Sequence, residues 1–456
     1  MGKPSNVNDF LRPFVLELKS LANGININLH LIKVKTRCFI CDTPARSFLK
    51  GIVYFNAHFG CQKCTTRGVY FQSVRTMSYP QINCPKRTDE SFRKRLQPEH
   101  HKIRSIIEEL KEIDMVADFP TSDPLHLLEL GIMKKCLFRW NFGTKTYRRR
   151  FNKNELVHLN QLLVHVNKEM PSEIHRSVRT FDSLHDWKGT EFRTFLLYVG
   201  IVVLKDNLIG NEYIHFLKLM CATIMCSTDF FRIHVQRNDG LVQCLLEDYV
   251  ESYIDIYGEE SVSSNVHNLI HIVDDVRRFG NLNTISAYPF ENSLRLIKLR
   301  LRNCNAPLEQ ISRRISEINC AIVNSDSSYS SFCLTPKLKF STMINDTPIF
   351  KTIQFQQFCL SSRKFGDKWF LTKCGKVVEF SHATNDNHST LIHGNYILAL
   401  EDFFKVPLSS SRLFIFTSKM LTGNQITCKP YDIRCKMVCI TYRNNYVFLP
   451  LVHTCQ

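Results

Sequence analysis

The sequence is short of the residues that interrupt a fold. Its 456 residues include 17 glycines, 16 prolines and 3 tryptophans, too little Gly and Pro for a collagen-like or linker-dominated chain. Acidic residues are also scarce: 42 Asp and Glu stand against 59 Lys and Arg, a net charge of +17. That balance excludes an acidic solvating protein and favours a polyanionic partner, above all nucleic acid. Long apolar runs are missing too. The longest, Phe195 to Leu204, falls far below the roughly 20 residues of a spanning helix, so no membrane partner is expected. The opening Met1-Gly2-Lys3-Pro4-Ser5-Asn6 is polar, unlike a secretory signal, and Asn6 departs from the myristoylation pattern. No internal repeat is present.

What is present fits a folded, intracellular chain of two or three domains. Eighteen cysteines without a secretory signal read as reduced thiols, most of them, such as Cys221, Cys226 and Cys244, acting as small buried apolar side chains. Apolar residues at Phe10, Phe14, Val15, Leu18 and Leu21 have helical spacing. Asn28 to Ile40 reads as a strand running into Asp42. Residues 65–99 are irregular and basic, and helices are expected over 100–113, 123–138, 153–169, 189–204, 211–226, 240–257, 264–278, 290–302 and 307–322. After Ser325–Ser331 the pattern turns to short alternating runs. The fold class is therefore α+β and mostly helical, divided into 1–64, a basic loop-rich segment 65–122, a helical region 123–322, a linker 323–349 and a β-rich domain 350–456.

Two cysteine pairs, Cys38/Cys41 and Cys61/Cys64, have zinc-type spacing. Cys38 and Cys41 lie an odd number of positions apart on a strand and point to opposite faces, whereas Cys61-x2-Cys64 follows Gly60 and can turn. Cys61 and Cys64 are thus the zinc candidates, with His126 as the first choice for a further ligand and His58 as the second. Asp42 reads either as a helix N-cap or as a metal-binding carboxylate, and Glu191 either as a first-turn carboxylate or as part of a site. Basic groups suited to phosphate backbones are Arg93, Lys94 and Arg95, Arg148, Arg149 and Arg150 between aromatics, and Arg295, Lys298 and Arg302 on one helix face.

These segments, in order, resemble the transposases of CACTA (En/Spm-like) DNA transposons, in particular the animal branch. The resemblance rests on Cys41-Asp42-Thr43-Pro44-Ala45-Arg46, Gly60-Cys61-x2-Cys64, Asp123-x-Leu125-His126, Trp187-Lys188-Gly189-Thr190-Glu191-Phe192-Arg193, Asn265-Val266-His267-Asn268-Leu269-Ile270-His271 and Tyr288-Pro289-Phe290-Glu291-Asn292. It covers nearly the whole chain. It implies an RNase H-like core, here incomplete, with a large helical insertion, and two-metal phosphoryl transfer on DNA in the nucleus. By motif, Asp42 matches the second catalytic aspartate and Glu191 the closing carboxylate, with Glu291 as the alternative. Asp42 and Glu191 would hold Mg²⁺, and Cys61, Cys64 and His126 would hold Zn²⁺. The strand that carries the family's first aspartate would precede Gly2, so the expectation is a DNA-binding transposase remnant without autonomous cleavage or strand transfer. The alternatives are a non-enzymatic zinc-stabilised DNA-binding or assembly module, or a fragment of an intact transposase. Beside DNA, the partners would be a second copy or a full-length transposase.

Overall fold

The first helix, Val7–Asn23, starts where the Asn6 side chain accepts the amides of Asn8 and Asp9, filling donors that a first turn leaves unpaired. Val7, Leu11 and Val15 bury one face of it against Ile52, Phe92, Ile107, Ile113 and Phe119. The structure is a computed structural model that describes residues 4–455, apart from 237–239, 304, 325–336, 345–346, 387–388 and 420–422. The serine-rich stretch 325–331 lies outside the described residues.

The strand expected over 28–40 is not one strand. Asn28 and Leu29 take positive φ, 50° and 67°, the backbone of a tight hairpin turn, and Ile25–Ile27 folds back on His30–Ile32. Residues 33–42 carry no strand pairing. This hairpin is the only strand pair among the described residues of 4–64. The α+β class therefore holds for the molecule, but Asp42 does not end a sheet strand.

The helix expected over 100–113 is also absent. Only the turn Ile106–Glu109 forms in 101–113, and Arg93 binds the carbonyls of Glu108, Leu110 and Ile113. From Pro124 onward the helical expectations are met closely, with helices at Lys153–Glu169, Glu212–Ser227, Leu241–Tyr257 and Pro307–Asn324. A helix not anticipated, Asp229–Gln236, is added. Together they enclose one large apolar core. Cys221 and Cys226 are buried in it, whereas Cys244 is exposed. Among the described residues no helix is long and apolar enough to cross a membrane.

Strands begin at Lys337 rather than 350, because Lys337–Ile344 pairs with Thr347–Gln354 inside the expected linker. The central strands run Asn445–Pro450, Ile433–Tyr442, Trp369–Thr372, Val377–Asp386 and Ser389–Tyr396, antiparallel throughout. Period-two alternation splits their side chains between two environments. Val438, Ile440, Val447 and Leu449 enter the helical core, while Met437, Cys439 and Phe448 pack with Trp369 on the other face. The β-rich part thus shares a core with the helices and is not an appended module.

Two fully buried lysines mark opposite situations. Lys436, at this junction, reaches Glu173 and Asp367, each at 2.7 Å. Burial pushes the Asp367 carboxyl up, but Lys436 more than offsets this and holds it below its usual value. Lys50 lies between Phe92 and Phe119 with no hydrogen-bond partner for its amine, and burial lowers its proton affinity well below the ordinary lysine value.

Lys436→Met, which strands two carboxylates, is expected to cost about 3–5 kcal/mol in urea unfolding. Lys50→Met is expected to be neutral or to stabilise by up to about 2 kcal/mol, because the buried amine is unsatisfied. The unfolded chain protonates Lys50 more readily than the folded one, so the wild-type protein gains stability as pH rises towards about 10.4, the free lysine value. That part of the slope should vanish in Lys50→Met.

Candidate metal centre and carboxylate site

Gly60 lets the chain turn tightly into Cys61-Gln62-Lys63-Cys64, and the Cys64 amide faces the Cys61 sulfur at 3.4 Å. Against this turn packs the helical segment that starts at Ser264 and continues through Ile272–Phe279. One helical turn separates His267 from His271, so both rings project from one face. His267 Nε2 lies 3.2 Å from Cys64 Sγ, His271 Nε2 lies 3.5 Å from Cys61 Sγ, and the two sulfurs are 3.5 Å apart. All four are buried and their ligand atoms lie within 4.8 Å of one another.

A disulfide would need a sulfur separation of about 2.05 Å. The observed spacings lie close to those of a tetrahedral S2N2 site, whose edges come to roughly 3.3–3.8 Å for bonds of about 2.3 Å to sulfur and about 2.0 Å to nitrogen. Protonation fits as well. His267 Nδ1 lies 3.2 Å from the Tyr79 carbonyl, so its proton sits there and Nε2 is left as a donor of electrons. Burial opposes charge on Cys61, yet the Cys64 thiol and both imidazoles hold Cys61 well below the ordinary thiol value. The hydrogen bond that Cys64 gives to Cys61, together with burial, pushes Cys64 up. The quartet could hold a metal ion.

A buried ion pair braces the same junction. Lys63 Nζ meets Asp275 at 2.8 Å, and the other Asp275 oxygen accepts from the Thr121 and Ser122 amides. Around it, Arg46 bonds the carbonyls of Cys41 and Pro120 and the side chain of Gln62.

His126 is not part of the quartet. Its Nδ1 is bonded to Asp123 at 2.5 Å, because a histidine three residues after an N-cap aspartate meets that carboxylate before any distant sulfur. His58 is also elsewhere, exposed and bonded to the Gly68 carbonyl. Neither Cys38 nor Cys41 joins the site. Spacing alone, His267-x3-His271 on a helix, was the available signal for the two histidines that face Cys61 and Cys64.

Asp42 caps the helix Thr43–Lys50, accepting the Ala45 amide at 2.8 Å. Glu191 is fully buried, with both oxygens 2.8 Å from Arg179 and one on the Lys188 amide. Burial alone would raise its carboxyl, and these contacts bring it below the usual range. Such a carboxylate has no open face for a metal, which corrects its assignment as a site residue. Glu291 differs: its side chain is 55% exposed and lies 4.0 Å from His126 Nε2. His126 gains proton affinity first from its bond to Asp123, against burial, and also from the charges of Asp42 and Glu291. The charges of Asp42 and Glu291, distant in sequence, therefore both act on one imidazole. Beside them Glu129, bonded to the Tyr288 hydroxyl, is pushed up to about 7 by burial; nothing in the sequence pattern pointed to it. The other compact ligand-type set among the described residues, Glu173, Cys359 and Asp367, has its carboxylates on Lys436.

The basic residues divide. Arg93 is tied to Asp89 and three carbonyls, Arg95 to Glu108, and Arg149 to Glu212, so these three hold the fold rather than face a ligand. Lys94 pairs with Glu90 on the surface. Arg148, Arg150, Arg295, Lys298 and Arg302 are exposed, and the helix Tyr288–Leu299 that presents two of them buries none of its residues.

Residues 337–451 match a family described as a domain of unknown function (DUF8592). No curated protein matches the chain.

If the quartet binds metal, Cys64→Ser and His271→Ala should each lose the single bound equivalent in elemental analysis and lower the melting temperature. His126→Ala should retain it. Saturating metal at a thousand times its dissociation constant would add about 4 kcal/mol to unfolding of the wild-type protein.

Proposed function

We propose that the protein is a DNA-binding, transposase-derived protein of the CACTA type, acting in the nucleus, whose principal metal is a structural Zn²⁺ on Cys61, Cys64, His267 and His271. The observation that carries this reading is the quartet itself. It joins the segment after Asp42 to the helix that leads towards Glu291, and the charges of both carboxylates act on one imidazole. Cys2His2 donors suit Zn²⁺, and a closed four-ligand site has a structural rather than a catalytic character.

Asp42 and Glu291, in place of Asp42 and Glu191, form the remnant of an RNase H-like acidic site. With Asp123 engaged by His126 and the helix amides, and Glu129 by the Tyr288 hydroxyl, Asp42 and Glu291 would bind a single Mg²⁺ weakly, since Mg²⁺ keeps several waters and prefers near-octahedral oxygen ligands. Two-metal transfer needs both ions fixed, so binding without autonomous cleavage is the expected activity. DNA would meet the exposed cations Arg148, Arg150, Arg295, Lys298 and Arg302, through phosphates rather than base edges.

The test is anisotropy with duplex DNA carrying terminal inverted repeats, alongside a cleavage assay in Mg²⁺ or Mn²⁺. Binding should weaken steeply with salt and survive Asp42→Ala and Glu291→Gln. Metal-dependent cleavage abolished by Asp42→Ala would refute the non-cleaving reading, and no binding at low salt would refute the DNA-binding one. Glu191→Gln should lower stability, not DNA affinity.

A further inference from the structure

A cleft of about 520 Å³ opens between the first helix, Val7–Asn23, and the turn Ile106–Glu109. Its walls carry five cations and two carboxylates, and both carboxylates are already engaged. Glu109 is held by Lys19 at 2.6 Å. Glu108 is held by Arg95 at 2.6 Å and by the Ser105 amide. Arg93 is spent on Asp89 and on backbone carbonyls.

Three cations remain. Arg12 and Lys111 are exposed and, among the described residues, have no hydrogen bond or ion pair within 4 Å. Arg104 makes a single loose contact, 3.7 Å, with the Glu108 that Arg95 already holds. All three line the same cleft, and the Arg104 carbonyl is pinned to the first helix by the side-chain amide of Asn8 at 3.0 Å. The Ile106 amide bonds the Asn8 oxygen at 2.8 Å, so the two walls are fixed to each other. No aromatic side chain lines the cleft, so it offers no aromatic platform for successive bases.

We propose that this cleft is a phosphoryl-binding site in which Arg12, Arg104 and Lys111 neutralise two or more phosphate charges without reading the base. Guanidinium groups supply paired donors matched to phosphate oxygens, and lysine adds a point charge. The same chemistry is offered by the phosphodiesters of DNA and by a free polyphosphate. The site is lined by none of the quartet or carboxylate-site residues, and it needs neither metal nor the proposed ancestry.

The experiment uses the full chain without added divalent metal, the triple variant Arg12→Gln/Arg104→Gln/Lys111→Gln, and two probes: inorganic tripolyphosphate by calorimetry and duplex DNA by anisotropy. The triple variant should bind at least one probe tenfold or more weakly. Loss with DNA, and a salt slope smaller by up to about 3, assigns phosphodiesters. Loss with tripolyphosphate alone assigns a free polyphosphate. Lys111→Glu, a single exposed change, should act in the same direction if the triple variant folds poorly. Unchanged binding of both probes, or a wild-type protein that binds neither at low salt, overturns the proposal. Loss of cleavage or of DNA binding through Asp42 or Glu291 would bear only on the proposed function.

Discussion

The contact between the Cys61–Cys64 turn and the His267–His271 helix is the constraint on which the rest of the site depends. It joins the turn at residues 61–64 to a helix 203 residues further along the chain, counted from Cys64 to His267, and four polar ligand atoms are buried in doing so. Left without a metal, such groups would cost desolvation with little return, since thiols are weak hydrogen-bond partners. Lys63–Asp275 at 2.8 Å sits in the same seam, and its carboxylate also gathers the amides of Thr121 and Ser122. Three separate stretches of sequence are thereby fixed around one point. A buried ion pair is poor as a source of stability but strict about geometry, which is what a seam between distant segments requires.

The electrostatics near Asp42 follow from this seam. Asp123 caps the helix that begins at Pro124 and also binds His126, so the imidazole is held where Glu291 can approach it. The two glutamates proposed for one role illustrate how environment separates them. Glu191 is enclosed and doubly bonded to Arg179, which makes it a fold-holding ion pair. Glu291 is open to solvent at the first turn of a helix with no buried residue, where a carboxylate can still exchange its partners.

Much of this was legible in the sequence and some was not, for identifiable reasons. Helices such as Lys153–Glu169 and Leu241–Tyr257 follow from apolar periodicity and flanking caps, which are local. The Cys61/Cys64 pair is legible because a metal turn has a fixed short spacing. His267 and His271 were passed over in favour of His126, since sequence spacing between the two halves of a site carries no distance information. The strand over 28–40 failed because two residues at positive φ turn alternation into a hairpin. The helix over 100–113 gives way to a single turn at Ile106–Glu109, whose following carbonyls are bound by Arg93. The missed hairpin is a local turn that alternation does not reveal, and the missed histidines reflect a separation in space that sequence spacing does not encode.

The β-rich part extends the same logic. Its strand Ile433–Tyr442 has two buried faces, one in the sheet and one in the helical core, so it cannot be exposed on one side without leaving Val438 and Ile440 in water. Burying a Val or Ile side chain contributes about 1.5–3 kcal/mol, and Lys436 adds an ion pair that persists only while Glu173 and Asp367 remain opposite it. Polar contacts at the rim, Thr441 to Glu169 and Arg443 to Asp206, fix the register of that docking. The strands Ile433–Tyr442 and Asn445–Pro450 therefore belong to the same apolar core as the helices.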